Sequence, residues 1–335
     1  MLSIKIRCAL PGLIFIVILI NACAIRPKPE IGHNAEYYRS NDYIVYRLQP
    51  NDTPGSLAKI FLNDPRKAWL VEDANPHVRF KAGRYVIIPL KPRNYGGIGA
   101  SGLQQIPILC YHRFGNHCES PLCVPDEIFD RQMKYLKDNG YRVIGPKDLL
   151  AFLQYRQQLP KKAVMITIDD GYESVYAVAY PILKKYGFSA TLFIYTNYVG
   201  VSKKALSWKQ LRELKANGFT IGSHTIMHSD LSKQGENESE EAYLHRLRHE
   251  IFDSKKILDR QLDQDTFIFA YPFGRANQTA MQLCQDAGYQ IAVTVKRGGN
   301  AFFANPRLLR RDQILKRDMA TFISRLKTFQ SISLR

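Results

Sequence analysis

Cysteine is sparse in this chain, with six residues in 335, too few for a disulfide scaffold. The close pair Cys118 and Cys123 has no second pair at matching spacing, which argues against a cysteine-ligated zinc cluster. No Gly-rich phosphate loop follows the first strand of the large domain, which counts against a nucleotide-binding, doubly wound sheet. Zinc-finger spacing, a helical basic region and aromatics interleaved with arginine are also missing, so nucleic acid is not an expected partner. Acidic residues are the minority, 30 against 47 Lys and Arg, for a net charge of +17. Such a balance suits an anionic neighbour, a membrane surface or an acidic glycan, or simply a solvated basic surface.

What is present begins with Lys5 and Arg7 ahead of the apolar run Leu13–Ile20. That run is shorter than the roughly 20 residues a helix needs to span a bilayer, and it reads as a signal-peptide core. Its end, Ile20-Asn21-Ala22-Cys23, resembles a bacterial lipobox, which implies removal of residues 1–22 and a lipid anchor on Cys23. Ala24 after that cysteine implies, by resemblance to lipoprotein sorting, a periplasm-facing place on the outer membrane of the cell envelope. Ordinary cleavage near Ala22-Cys23-Ala24, releasing a soluble protein, is the alternative, and an uncleaved anchor is the third. Export to an oxidising space would permit a Cys118–Cys123 bridge, which spacing alone does not establish.

Residues 23–41 carry Pro27 and Pro29 without periodicity and read as a tether. A small module spans 42–91: a strand at Tyr43–Tyr46, a helix start at Asn51-Asp52-Thr53-Pro54, a second helix around Trp69-Leu70-Val71 and a strand at Arg84–Pro89. The order resembles a LysM module, through Asn51-Asp52-Thr53, Asn75 and Ile87-Ile88-Pro89 after Gly83. That family binds N-acetylglucosamine-containing glycans such as peptidoglycan; a structural βααβ spacer is the other reading. A Gly-rich linker fills 92–105. From 106 to 335 short apolar runs alternate with helical patterns, as at Ala163–Ile168 followed by Ala190–Ile194. Alternation of this kind predicts an α/β fold with a parallel sheet, and seven candidate strands favour a distorted (β/α)7 barrel.

Two motifs fall at predicted strand ends, Ile168-Asp169-Asp170-Gly171 and His224-Thr225-Ile226-Met227-His228. Two carboxylates and two imidazoles suffice for a hydrolytic metal site with one carboxylate left as a base. Followed by Ala270-Tyr271-Pro272-Phe273-Gly274, they resemble the first three motifs of NodB-type polysaccharide deacetylases, carbohydrate esterase family four. The resemblance implies Asp169 as general base, and Asp170, His224 and His228 as ligands of a divalent ion, zinc first, cobalt or nickel otherwise. It also implies the Phe273 backbone N–H as a substrate-binding oxyanion donor, and N-acetylglucosamine-containing polysaccharide as substrate.

Two positions depart from the family. Ala270 stands where an arginine orients the catalytic Asp, leaving Arg275 or Arg310 to substitute. Leu308-Leu309-Arg310 stands where a Leu-x-His supplies the acid, and no histidine follows His249. Tyr111-His112 at the end of the first barrel strand resembles the PgaB and IcaB type of poly-N-acetylglucosamine deacetylase, which makes His112 the candidate acid, with His117 behind it. Exopolysaccharide deacetylation is therefore the expected activity. Peptidoglycan deacetylation and an inactive glycan-binding lipoprotein are its rivals. Tyr172, Trp208 and Tyr271 would either stack on sugar or pack.

Overall fold

The computed structural model describes residues 36–332 except 93, 117, 316 and 317. The proposed signal segment, most of the proposed tether, Cys23 and His117 lie outside the described residues.

The small module is a three-stranded antiparallel sheet, β1 (Tyr37–Arg39), β2 (Tyr43–Arg47) and β3 (Tyr85–Pro89), with helices Pro54–Leu62 and Ala68–Ala74 between the last two strands. The tether therefore ends earlier than expected, because Tyr37–Arg39 already pairs with Ile44–Tyr46. Thr53 caps the first helix: its side chain accepts from Ser56 N–H and Ser56 Oγ accepts from Thr53 N–H, satisfying two donors that a helix start leaves open. Ile44, Leu57, Val71, Val86 and Ile88 form a core of their own. Buried Asn75 ties the second helix to β3, donating to Val71 O and Ile87 O and accepting from Ile87 N–H.

The glycine-rich stretch is not a free linker. Ile98–Gly99 and Gly102–Gln104 form antiparallel strands with Phe329–Ser331 from the other end of the chain. Gly102 is required there: at φ 154° its Cβ would lie 2.0 Å from Gln330 O.

The large domain has seven parallel strands: β4 (Ile108–Tyr111), β5 (Ala163–Asp170), β6 (Thr191–Ile194), β7 (Thr220–Ser223), β8 (Ile268–Ala270), β9 (Ile291–Val293) and β10 (Asp312–Gln313). Their order in the sheet is β9-β8-β7-β6-β5-β4-β10. Thr294 N–H donates to Leu309 O and Leu309 N–H to Ala292 O, so the chain leading into β10 also bonds β9 and curls the sheet into a distorted barrel. One of the seven expected strands resolves differently, and one strand was not expected. Arg142–Val143 pairs only with the start of β5, off the main path, and β10 supplies the seventh strand.

Strand alternation sorts the side chains into two layers. Ala163 and Met165 of β5 join Ile108, Phe193, Ala270 and Val293 inside the barrel. Val164, Ile166 and Ile168 face outward and pack with Phe129, Met133, Leu183 and Leu211 of the surrounding helices. The inward row of β5 continues into Thr167 and Asp169, so a polar layer caps the apolar one at the carboxyl ends of the strands, where sites in such folds lie.

Candidate active site

Asp169 takes its place from that inward row. Both its oxygens are held by Arg311, Nη1 to Oδ1 at 2.7 Å and Nη2 to Oδ2 at 2.7 Å. The guanidinium also donates to Thr167 Oγ1 (3.0 Å) and Thr294 O (2.8 Å), and lies over the Phe193 ring. Arg311 is 0% exposed. Burial alone would raise the Asp169 pKa, but the charge and hydrogen bonds of Arg311, then His224 and His112, outweigh it and hold the carboxyl well below the usual range. Neither expected arginine does this. Arg275 pairs with Asp230 (3.0 Å) and stacks on Phe273, and Arg310 donates to Arg297 O. The signal was in the sequence: two residues beyond buried Leu309, a strand-like chain points inward again at Arg311.

On a regular strand Asp170 would point away from Asp169. Instead its φ is 76°, and this left-handed turn swings the second carboxylate to the same mouth. Asp170 Oδ1 lies 3.6 Å from His224 Nε2 and 3.5 Å from His228 Nε2. One ligand atom from each of the three side chains lies within 4.8 Å of the others. His224 Nδ1 is 2.7 Å from Ala270 O; as donor to that carbonyl it fixes the tautomer and leaves the Nε2 lone pair facing Asp170. Ala270 thus contributes its carbonyl where a side chain was expected. Burial lowers the His224 pKa to about 3 and depresses that of His228, so both imidazoles are neutral. Burial and the neighbouring Asp169 raise Asp170 to about 7.

Two neutral imidazoles and one carboxylate with no Lys or Arg ion pair among the described residues fit a divalent ion of the zinc type. The charge of such an ion would reverse the upward pressure on Asp170. Four of the eight described non-glycine residues with positive φ belong to this mouth: Asp170, Thr225, His228 and Phe273. Strained backbone of this kind gathers at functional sites.

His112 follows β4, is 8% exposed, and shares a group with Cys110 and Asp169 whose ligand-type atoms lie within 4.8 Å of one another. Its ring makes no hydrogen bond among the described residues. Burial lowers its pKa, against the opposing pull of Asp169. Phe273 sits in the turn Pro272–Gly274 at φ 57°, its ring 55% exposed and edge-on to His228. Gly274 (φ 67°) lets that turn press on the chain beyond β9, where a Cβ would meet Val295 N at 2.4 Å. Tyr271 is fully buried and Trp208 is half-buried, packed against the outer core. Arg113 lies over the Tyr172 ring at 5.1 Å, and Tyr271, being fully buried, offers no stacking face. Cys118 and Cys123 are bridged, while Cys110 and Cys284 are free and buried.

The chain is similar to known proteins of one kind. A family model described as polysaccharide deacetylase matches residues 156–292. The chain is 37% identical over 194 residues to the Bacillus subtilis protein YxkH, whose name assigns it provisionally to the polysaccharide deacetylases, covering 58% of this chain and 66% of that protein. It is 30% identical over 173 residues to the poly-beta-1,6-N-acetyl-D-glucosamine N-deacetylase of Staphylococcus aureus, covering 50% and 59%. The chain thus spans just under two thirds of the length of these curated relatives, or less. The solved structure of the Streptococcus pyogenes deacetylase PplD in complex with acetate superposes with a TM-score of 0.60 at 33% identity, covering 67% of this chain and 98% of that one.

Proposed function

Because the chain belongs to the polysaccharide deacetylase family, we propose that it hydrolyses N-acetyl groups of an N-acetylglucosamine-containing polysaccharide, with a poly-N-acetylglucosamine-like exopolysaccharide as preferred substrate. The observation that carries this reading is the pairing of Asp169, neutralised by Arg311, with an uncompensated Asp170-His224-His228 cluster at one barrel mouth. The named substrate of the Staphylococcus aureus relative supports the choice of polymer.

Asp170, His224 and His228 would hold the divalent ion, zinc before cobalt or nickel. When bound, such an ion acidifies water and polarises the acyl oxygen. Asp169 receives the proton of the attacking water, and its low pKa keeps it ionised for that task, with Arg311 fixing its orientation. His112 returns a proton to the departing nitrogen, which would otherwise leave as a poor anion. The backbone N–H of Phe273 donates to the oxygen on which negative charge develops, so its ring has no part in that step.

The small module, LysM-like in its strand-helix-helix-strand order from β2 to β3, would hold the barrel against glycan. With Cys23 lipidated, the enzyme would face the periplasm from the outer membrane. Peptidoglycan is the second substrate, supported by that module alone.

The test is acetate release by the form beginning after Cys23, from β-1,6-linked N-acetylglucosamine oligomers and from peptidoglycan fragments, with zinc, cobalt or nickel, beside Asp169→Asn. Metal-dependent release from the oligomers, lost in the variant, is the expected result. Release from peptidoglycan alone would transfer the substrate. No release by folded, metal-loaded protein would leave a glycan-binding lipoprotein. Unchanged turnover in His112→Ala would remove the acid assignment while leaving the enzyme.

A further inference from the structure

The loop that carries both histidines has an anchor outside the reaction centre. Between His224 and Ser229 the backbone enters the left-handed region twice, at Thr225 (φ 74°) and His228 (φ 59°). Each such excursion by a non-glycine residue is strained and persists only where surrounding contacts impose it. On one side, Thr225 O and Ile226 O accept from Thr196 N–H and Asn197 N–H, both at 3.1 Å. His228 N–H goes to Thr225 Oγ1 (2.9 Å). Thr225 N–H goes to Ser223 Oγ (3.2 Å), and the Ile226 and Met227 N–H groups turn to one side chain. Glu250 Oε2 accepts from Ile226 N–H (2.7 Å) and Met227 N–H (3.0 Å), and Oε1 accepts from Ser229 Oγ (2.8 Å).

Glu250 is 2% exposed and has no ion-pair partner among the described residues. A buried carboxylate is costly unless donors surround it, and these three donors, two backbone N–H groups and one hydroxyl, all come from this one loop. It sits in a π-helical turn, His249–Asp253, between helices Glu240–Arg248 and Ser254–Leu262. Such turns often mark functional positions within helices. The second of these helices also grips the strand that leads into the loop, through Ser254 Oγ on Ser223 Oγ at 2.8 Å.

We propose that Glu250 is the positioning residue of the metal centre: by pinning the backbone between His224 and His228 it sets the direction of the His228 ring, so the affinity of the site for a divalent cation depends on a carboxylate that is not a ligand. The proposal rests on the reading of Asp170, His224 and His228 as the ligand set.

The experiment measures zinc affinity directly, by competition between the metal-free full chain and a chromogenic chelator. Outer-shell changes typically weaken metal binding about 10–100-fold, and a loss in that range is expected for Glu250→Ala with the far-UV spectrum retained. Glu250→Gln, whose amide oxygen can accept both backbone N–H groups, should bind close to wild type. Glu250→Asp keeps the charge but is one methylene too short to reach the loop, and should lose affinity even where the alanine variant fails to fold. The double variant Glu250→Ala, His228→Ala should bind no more weakly than His228→Ala alone, because the two act through one ligand. Wild-type affinity in a folded Glu250→Ala or Glu250→Asp protein would overturn the proposal, as would full additivity in the double variant. If Asp170→Ala and His228→Ala bind zinc as wild type does, the ligand set itself is wrong, an outcome distinct from failure of Glu250.

Discussion

Asp169 and Asp170 are neighbours in the chain and opposites in their surroundings. The first is clamped by a fully buried guanidinium and held in its charged form; the second is turned by a left-handed backbone toward two neutral imidazoles, with burial pressing it toward its uncharged form. The contrast teaches how a site can divide labour between identical groups. The fold compensates one carboxylate itself, leaving it fixed and ionised, and gives the other only two imidazoles as neighbours among the described ion pairs.

Removing the compensated carboxylate should have the largest effect. Asp169→Asn is expected to lower kcat by a factor on the order of 10²–10⁴, the usual worth of a positioned base. It should also reduce stability, because Arg311 is left buried without its anion.

Attacking the same pair from the other side comes next. Arg311→Met should cost about 3–5 kcal/mol in urea denaturation, the usual penalty for stranding one partner of a buried ion pair. Arg311→Lys keeps the charge but not the two-pronged geometry. It should retain more stability than Arg311→Met yet still lose kcat, which would separate orientation of Asp169 from charge balance.

Asp170 should behave in the opposite sense when no metal is bound. Its pKa is raised from 3.8 to about 7 by burial and by Asp169, so between those values the folded state holds a proton that the unfolded state has released. Metal-free protein should therefore lose stability as pH rises from about 4 through 7. Asp170→Asn should remove that slope in thermal melts while abolishing tight zinc binding. A metal-free Asp170→Asn protein with the wild-type slope would mean that the two carboxylates do not differ as described.

The smallest effect belongs to Phe273. Phe273→Ala should leave kcat near wild type, because the exposed ring is not the group assigned to the oxyanion. Phe273→Pro, which lacks the N–H and cannot adopt φ 57°, should lose turnover.

Most of the barrel was legible because strand periodicity is written in adjacent residues. The runs at Ala163, Ala190, Phe219, Phe267 and Gln290 all correspond to strands of the sheet. Asp312–Gln313 was not, since a two-residue strand has no period to read. Nor were Tyr37–Arg39 and the strands within the glycine-rich stretch, which exist through partners elsewhere in the chain. The paired histidines and the paired carboxylates were visible as motifs. Arg311 was passed over for its neighbour Arg310, and Glu250, in a polar helix of unremarkable pattern, gave no signal at all.

The sequence by itself determined the alternation that builds a parallel sheet, the carboxylates and imidazoles at strand ends, and the kind of ion those groups suit, because each depends on residue type and short-range spacing. Only the tertiary structure decided which carboxylate is neutralised, by an arginine 142 residues away. It also decided that the next residue turns to the same mouth, and that a buried glutamate holds the histidine loop in a strained path. Charge compensation and backbone strain are settled by groups that meet only after the chain has folded, and no local pattern records them.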